Sequence, residues 1–488
     1  MTQLLARAEV LETTGDPSSV EVSGVAYDSR RVVPGDLFCC VPGATADGHD
    51  FAAQAVDRGA VGLLCERLIA PLARPVVQAV VAPGRVRSAM AEVAAALYDH
   101  PARALIMAGV TGTNGKTTVT HLLGSILERA GHPTTVIGTL SGRRTTPESP
   151  DLQAQLAQAR DRGVADGVRR AVAMEVSSHA LDQSRVDAVR FDVAVFTNLS
   201  HDHLDYHPSM EAYFAAKARL FEPARSAHAV VWVDDPYGAR LAAQAEVPVT
   251  AVSRADADAV AVGRTGSTFG WRGQAITLPL AGRVNVENAL LAAEAARVLG
   301  VALDVVAEGL AGATPVPGRL QRVAWPPTPG PEPFDVLVDY AHTPAALTRV
   351  LGDARELAGP DRRVLVVFGC GGDRDRAKRP LMGAAATGGA DLAVLTTDNP
   401  RNEDPSRIID EVRAGVGPDA VRAGRLVVEP DRRRAIEVAL AAARSGDVVV
   451  LAGKGHETTQ EIGPEIRPFD DAEVAAEILG RVRPKSRD

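Results

Sequence analysis

At 488 residues the chain has room for about three domains of roughly 150 residues each. A hydrophobic share of 46% with 23% charged residues is the composition of a soluble globular protein, and a net charge of -8 argues against a general nucleic-acid or membrane-surface binder. No apolar run approaches the roughly 18 residues of a membrane span, and residues 1–9 lack the charged-then-apolar layout of a signal peptide, so a cytoplasmic protein without membrane insertion is expected.

Residues 1–100 alternate strand-like runs at 20–27, 36–41, 61–65 and 76–81 with a helix at 51–58, and a second helix at 86–98 leads to Pro101. The segment 28–38 reads as a polar turn entering a strand. A new unit then opens with an apolar run at 104–110, a buried strand, followed by Thr111-Gly112-Thr113-Asn114-Gly115-Lys116-Thr117-Thr118. After it, Val119, Leu122, Leu123, Ile126 and Leu127 mark one face of a helix. Strand, glycine-rich turn and helix form a phosphate cradle: backbone N–H groups point at an anion, Lys116 adds a fixed charge and a Thr hydroxyl can hold Mg²⁺. An ordinary strand-to-helix turn needs glycine but not the Gly-Lys-Thr that follows. The general nucleotide-loop pattern also asks for glycine where this chain has Val110, so the loop is a variant.

Strands and helices alternate from 101 to 325, the signature of a mostly parallel sheet covered by helices on both faces. Five prolines in residues 325–333 read as a stiff linker or surface loop. Residues 326–488 form a third alternating α/β unit with strands at 336–339, 364–368, 392–396, 425–428 and 448–451. Its Gly369, Gly371 and Gly372 do not make G-x-G-x-x-G, but its strand ends are densely polar at 369–376, 398–401 and 453–457. Ligands of open α/β sheets bind at the carboxyl ends of strands, so one edge of this unit is an expected site.

Four cysteines, Cys39, Cys40, Cys65 and Cys370, show no C-x-x-C spacing and read as reduced, buried thiols. Only five of the 53 basic residues are lysine: Lys116, Lys217, Lys378, Lys454 and Lys485. Where any positive charge will do, this chain uses arginine. The remaining lysines mark places where a compact ammonium, or an amine able to lose its proton and react, is needed; chance survival suits Lys485 in the tail. Glu175, at a strand end, can bind the metal of a nucleotide, and His203 is a second candidate ligand that suggests a less hard position, since Mg²⁺ prefers oxygen. The run His201-Asp202-His203-Leu204-Asp205-Tyr206-His207 also approaches a dinuclear zinc hydrolase pattern, with Tyr206 breaking the spacing. His201 and His207 could simply bond to backbone at a helix start. Lys217, on an apolar-faced helix, could equally be a solvated surface residue. In the third unit, Asp339-Tyr340-Ala341-His342, Arg374 between Asp373 and Asp375, Asp398-Asn399-Pro400-Arg401 and Gly453-Lys454-Gly455-His456-Glu457 supply guanidinium groups for a carboxylate and carboxylates for an ammonium. A zwitterionic amino acid fits them, and so do salt-bridge networks between loops.

The loop at 111–118, Glu175-Val176-Ser177-Ser178-His179, residues 198–205, Asn285-x-x-Asn288, Asp339-Tyr340-Ala341-His342 and Asp398-Asn399-Pro400-Arg401 together resemble the Mur ligases of bacterial cell-wall synthesis, over the whole chain and in order. The loop lacking its first glycine is that family's own form. The resemblance implies three α/β domains: a UDP-binding domain at 1–100, a central ATPase domain at 101–325 and a Rossmann-like domain at 326–488 that receives an amino acid. It places Gly112, Thr113, Asn114, Gly115, Lys116, Thr117 and Thr118 on ATP, with Asn288, Arg319 and Asp339 on the adenosine part. Thr117, Glu175, His203 and Lys217 would serve the metal, Mg²⁺, with Lys217 carbamylated by CO₂ to an anion; Lys116, His203 and Lys217 would be catalytic. Ser29 would contact the UDP-sugar, and Thr145, Thr146, Ser177, Gln183 and Arg185 the muramyl peptide. Arg374, Asp398, Asn399, Pro400, Arg401, Gly453 and Glu457 would take diaminopimelate in preference to lysine.

The reaction this implies is ATP-dependent amide formation by a monomer. The D-glutamate carboxylate of a UDP-muramyl dipeptide would attack the γ-phosphate, and the diaminopimelate amine would attack the resulting acyl phosphate. Three alternatives are weighed against it: a lysine-adding ligase of the same family, opposed by Arg401; a folate-polyglutamate-type ligase, opposed by the N-terminal segment around Ser29; and a non-catalytic nucleotide-binding regulator, opposed by the polar strand-end clusters far from the phosphate loop.

Overall fold

The computed structural model describes residues 1–43, 45–142, 144–326 and 333–481. Most of the proline-rich stretch, at 327–332, and Lys485 lie outside the described residues. Three sheets of mainly parallel strands follow one another along the chain. The first has the order Glu12–Thr14, Val77–Val80, Gly62–Cys65, Asp36–Cys39, Gly24–Ala26, with only Glu12–Thr14 antiparallel to its neighbour. Leu37 and Cys39 face a core with the helix Val86–Leu97, while Phe38 and Cys40 face one with Ala52–Asp57. That two-residue alternation is what a strand buried on both sides requires. All four cysteines are free and buried.

The central sheet is fully parallel and runs Val249–Val252, Ala229–Trp232, Val193–Phe196, Ile106–Thr111, Ala171–Glu175, Thr134–Ile137. Ile106, Ala108 and Val110 face helices Lys116–Arg129 and Arg283–Val298; Leu105 and Met107 face the helix Ser149–Asp166. One element departs from simple strand–helix alternation. Asp258–Val262, Ser267–Trp271 and Gln274–Leu278 form a separate antiparallel sheet, turned at Arg272 and Gly273, both with positive φ. Phe269, Trp271, Ile276 and Leu278 point from it into the same core as Val230 and Trp232. Their every-second-residue spacing is a strand signal that the helix-based reading passed over.

The third sheet has the order Gln321–Arg322, Asp335–Asp339, Val448–Ala452, Val364–Phe368, Leu392–Leu395, Leu426–Val428. Its first strand is antiparallel and precedes residue 326, so the chain joins this sheet before the proline-rich stretch. The last strand but one in sequence order is Leu426–Val428; the final one, Val448–Ala452, returns between Asp335–Asp339 and Val364–Phe368. Helices Pro344–Ala358, Lys378–Gly389 and Pro405–Arg413 cover one face, Arg432–Ala442 and Asp471–Leu479 the other. Thr343 and Asp404 cap helices that begin with proline, which lacks the N–H a first turn leaves unused. Among the described residues no helix is long and apolar enough to cross a membrane.

The last two helices are pinned together by an ion pair with no solvent exposure. Arg432 Nε and Nη2 donate to the two carboxylate oxygens of Asp471 at 2.8 and 2.6 Å, and Nη2 also donates to Ala452 O at 3.0 Å. Replacing Asp471 by alanine strands a buried guanidinium. Denaturant unfolding should show the C-terminal unit losing about 3–5 kcal/mol, and adding Arg432→Met to Asp471→Ala should recover part of that loss.

Candidate active site

The glycine-rich turn leaves Ile106–Thr111 and enters the helix Lys116–Arg129 through two backbone conformations that favour glycine, φ +144° at Gly112 and +87° at Gly115. Space enforces the same choice. A β-carbon at Gly112 would lie 1.9 Å from Thr197 Oγ1, and one at Gly115 would lie 2.5 Å from Asn288 Oδ1. The next strand braces the turn: Thr113 N–H donates to Asn198 O at 2.8 Å, Asn114 N–H to Asn198 Oδ1 at 3.1 Å, and Thr197 Oγ1 to Asn114 O at 2.6 Å. Lys116 curls back, its Nζ donating to Gly112 O and Thr113 O at 3.0 and 2.8 Å. Burial lowers its pKa, while the charge of Glu175 opposes that shift.

Glu175, only 1% exposed, ends the strand Ala171–Glu175. Its carboxylate accepts from Thr117 Oγ1 at 3.0 Å and from Thr139 N–H at 2.8 Å and Oγ1 at 3.2 Å. Arg319 reaches across from the C-terminal side and donates to Thr117 Oγ1 at 3.0 Å. A hydroxyl and a carboxylate beside the phosphate turn are hard oxygen donors of the kind a divalent cation such as Mg²⁺ takes.

Lys217 stands on the helix Met210–Ala218, 1% exposed, with Nζ 2.8 Å from Gly112 O and 4.6 Å from the centroid of the Tyr213 ring. Burial first, and the charge of Lys116 second, depress its pKa well below that of a free lysine; Asp202 opposes them. It is no solvated surface residue. The histidines nearby diverge. His201 Nε2 reaches Asp375 Oδ2 at 3.0 Å, His207 stacks on Tyr213 with centroids 5.2 Å apart, and His203, at φ +55°, borders the cleft beside Glu175. Burial lowers the pKa of His203, and takes that of His179, its neighbour at 5.0 Å, down to about 4. Among the described residues no three or more His, Cys, Asp or Glu side chains are grouped to hold a metal.

The cleft continues onto the C-terminal unit. Asn288 donates to Asn285 Oδ1 at 3.3 Å, leaving its own Oδ1 toward Gly115. The guanidinium of Arg319 lies 4.6 Å over the Tyr340 ring. Asp339 accepts from Leu320 N–H and Ala341 N–H, both at 2.8 Å; burial raises its pKa against the pull of Arg319.

A second group adjoins Glu175. Thr146 Oγ1 donates to Glu175 O at 2.9 Å and accepts from Ser177 N–H at 3.0 Å, and Thr145 Oγ1 lies 3.1 Å from Thr139 Oγ1. Arg185 donates to Thr146 O at 3.0 Å and to Gln183 Oε1 at 2.7 Å. Ser29 is not in this group. Its Oγ donates to Gln54 Oε1 at 2.7 Å within the N-terminal unit, whose nearby Tyr27 and Arg31 reach Asp151 of the central unit.

A third group lies at the strand ends of the C-terminal sheet. Asn399 Nδ2 donates to Glu457 Oε2 at 2.8 Å; fully buried Lys454 donates to Asn399 Oδ1 and Glu457 Oε2, each at 3.2 Å, and to Thr459 O at 2.5 Å. Gly453 leaves room for Asp398, whose Oδ2 would be 2.5 Å from a β-carbon there. Burial, then the charge of Asp398, raises the pKa of Glu457. Arg401, at φ +50°, donates to Gly372 O at 2.8 Å and pairs with Glu461 at 3.2 Å; Pro400 O packs against Gly372. Arg374 is exposed, yet it brackets Gly371 together with Arg401.

Comparison with known proteins gives this arrangement a context. Along its length the chain is 45% identical to a UDP-N-acetylmuramoyl-L-alanyl-D-glutamate--2,6-diaminopimelate ligase of Gloeobacter violaceus, covering 99% of this chain and 98% of that protein. The chain belongs to the Mur ligase family. Three Mur ligase family models match in succession, the "Mur ligase family, catalytic domain" over 21–108, the "Mur ligase middle domain" over 110–296 and the "Mur ligase, glutamate ligase domain" over 318–455. A ligase of the same description from Streptomyces coelicolor is 44% identical over 99% of this chain and 97% of its own. A solved structure so described is 31% identical with a TM-score of 0.65, covering 98% of each chain. The zinc hydrolase pattern around His201 therefore has no place in this Mur ligase.

Several participants carry no sequence signal of the kind used above. Thr139 supplies two of the three side-chain-directed bonds to Glu175, yet it is one Thr in a polar loop. Glu148 is buried among Arg87, Arg144 and Arg185, which come from two units of the chain. Tyr340 and Lys454 lie within stretches singled out as polar clusters, but their contacts with Arg319, Asn399 and Glu457 depend on the fold. Adding a methyl at Gly115 combines a positive φ with a clash against Asn288. Gly115→Ala should weaken ATP binding by more than about tenfold in a calorimetric titration, since the left-handed conformation alone costs about 1–2 kcal/mol.

Proposed function

We propose that this Mur ligase joins 2,6-diaminopimelate to UDP-N-acetylmuramoyl-L-alanyl-D-glutamate at the expense of ATP, through an acyl phosphate, in the cytoplasmic assembly of peptidoglycan precursors. The observation that carries the proposal is full-length identity of 45% to a ligase of that description. The placement of Arg401, Arg374, Asp398, Asn399 and Glu457 around one strand edge supports it, because a second amino-acid end needs both a guanidinium and carboxylates. The division of labour is 1–100 for the UDP-sugar, with Ser29; 101–325 for ATP; and 326–488 for diaminopimelate. The protein works as a monomer.

Gly112 to Thr118 bind the phosphates of ATP, with Asn288, Arg319 and Asp339 toward the adenosine part. Lys116, whose Nζ donates to the carbonyls of Gly112 and Thr113, would exchange those neutral partners for the anionic γ-phosphate. Thr145, Thr146, Ser177, Gln183 and Arg185 hold the muramyl peptide with its D-glutamate carboxylate facing the phosphate turn. Thr117, Glu175 and His203 would hold Mg²⁺, which when bound would draw off charge from the phosphates. Both reacting groups are anions, so the first step depends on positive charge at the phosphate turn, which the chain supplies with Lys116. The carboxylate oxygen takes the γ-phosphorus and ADP leaves; the diaminopimelate amine then takes the carbonyl carbon and phosphate leaves. Closure of the C-terminal unit over the cleft keeps water from the acyl phosphate.

Lys217 is the residue we propose to be modified. Burial, and then the charge of Lys116, lower the pKa of Lys217 well below that of a free lysine, which favours the free amine that is nucleophilic toward CO₂; the carbamate so formed would be an anion that can serve a second Mg²⁺. Arginine cannot form it. Lys217→Arg should abolish turnover with the fold intact by circular dichroism, and wild-type protein prepared without CO₂ should regain activity on adding bicarbonate. Retained activity in Lys217→Arg would remove the carbamate.

Substrate choice is tested with purified enzyme, ATP, Mg²⁺ and the UDP-muramyl dipeptide, offered diaminopimelate, lysine and ornithine with mass detection of product. Diaminopimelate alone should give tripeptide; phosphate release without tripeptide from any of them would defeat the ligase assignment. Arg401→Ala should raise KM for diaminopimelate by about 100-fold or more, the cost of losing a desolvated charge partner, and leave KM for ATP unchanged.

A further inference from the structure

Lys454 stands between the strand-end cluster of the C-terminal sheet and the hairpin that follows it. It lies in the loop after Val448–Ala452 with no side-chain exposure, and its ammonium donates to Asn399 Oδ1 and Glu457 Oε2, each at 3.2 Å, and to Thr459 O at 2.5 Å. An ammonium has three N–H donors, so this one is fully engaged. A guanidinium spreads five donors over a planar fork, which does not suit three acceptors gathered around one nitrogen. That geometry is a reason for lysine here in a chain that otherwise uses arginine. Sealed from solvent and with its donors taken, Lys454 does not itself touch a substrate.

Its partners are placed differently. Glu457 keeps 30% of its side chain exposed, and Lys454 and Asn399 Nδ2 both donate to Oε2, so among the described residues Oε1 receives no hydrogen bond. The Asn399 amide is fixed from both ends: Oδ1 accepts from Lys454 and from Glu461 N–H at 3.0 Å, while Nδ2 donates to Glu457 at 2.8 Å. The third contact, to Thr459 O, ties this pair to the hairpin of Thr459–Ile462 and Glu465–Pro468. That hairpin in turn holds the backbone of Arg401, which donates to Glu461 O at 3.2 Å and accepts from Gly463 N–H at 2.7 Å. One ammonium therefore joins a carboxylate, an amide and the hairpin that braces Arg401.

We infer that Lys454 is a positioning residue of the amino-acid site, holding Glu457 by Oε2 and Asn399 by Oδ1 so that Glu457 Oε1 is left for the second ammonium of diaminopimelate; the inference rests on the ligase reading proposed above. No bond is made or broken at Lys454. Its charge also bears on the state of Glu457. Burial, and then the charge of Asp398, raise the pKa of Glu457, and Lys454 opposes them. Arg432 and Tyr340 are the other charged or titratable groups that interact with this carboxylate. Without the ammonium that pKa climbs further, so on acidification Glu457 takes up its proton at a higher pH and an incoming ammonium loses its partner.

Lys454→Met keeps the length of the side chain without its charge, and Lys454→Gln keeps two N–H donors without the charge. Both are tested in the full-length enzyme with ATP, Mg²⁺ and the UDP-muramyl dipeptide, offered either diaminopimelate or 2-aminopimelate, which lacks the second amine. Expected for Lys454→Met is a KM for diaminopimelate raised by about 30-fold or more, with Lys454→Gln between it and wild type and KM for ATP within about threefold. The preference in kcat/KM for diaminopimelate over 2-aminopimelate should fall by about tenfold or more. On acidification, KM for diaminopimelate should begin to rise at a higher pH in Lys454→Met than in wild type. A wild-type KM for diaminopimelate in Lys454→Met overturns the inference. An equal loss on both amino acids with an unmoved pH profile also overturns it, as does the absence of a cooperative melting transition in both variants, since either makes the lysine structural. A wild-type enzyme that makes no tripeptide fails the ligase assignment instead, a separate result read in the same assay.

Discussion

Two amines converge on one carbonyl. Lys116 and Lys217, from different helices, both donate to Gly112 O, at 3.0 and 2.8 Å. That carbonyl is aimed by the positive φ of Gly112, a conformation open to a residue without a side chain, and Thr197 occupies the space that a side chain there would need. Two like charges cannot be buried so close at low cost: burial lowers the basicity of both, the charge of Glu175 opposes the shift at Lys116, and the charge of Lys116 adds to it at Lys217. That difference is what the proposed roles ask for, phosphate binding by Lys116 and reaction with CO₂ by Lys217. A change in the turn would disturb both at once.

The site is otherwise assembled across units. Arg319 from the C-terminal side bonds Thr117 of the phosphate helix, and His201 of the central unit bonds Asp375 of the third sheet. Each unit has its own two-faced core, and beside these polar contacts Val284, from the central unit's helix Arg283–Val298, packs against the core of the third sheet. Such interfaces favour motion between domains. An enzyme that must admit three substrates and then exclude water gains from units that are individually rigid and jointly loose.

Much of this was legible in the sequence. The phosphate turn, the three α/β units and the family are carried by local spacing, because a glycine-rich turn between strand and helix depends on residues adjacent in the chain. The lysine scarcity also pointed to Lys217, whose helix position alone would have made it a surface residue. What could not be read depends on contacts between distant residues. Thr139 meets Glu175 across 36 positions, and Glu148 gathers arginines from both sides of the N-terminal junction. The antiparallel sheet at 258–278 was missed for another reason: its alternation was visible, but short strands joined by tight turns were overshadowed by the helical rhythm around them.

The use of arginine for nearly all positive charge has a chemical consequence beyond the reaction. Guanidinium groups are poor targets for acylating and amine cross-linking reagents, whereas ε-amines are good ones when deprotonated. Lys116, Lys217, Lys378 and Lys454 stand in the cleft, at the junction of two units or in the cluster of Asn399 and Glu457, with Lys217, Lys378 and Lys454 nearly sealed from solvent. Reagents of this class would accordingly leave most of the surface untouched, and what they modify among these four amines would register how far the units have parted.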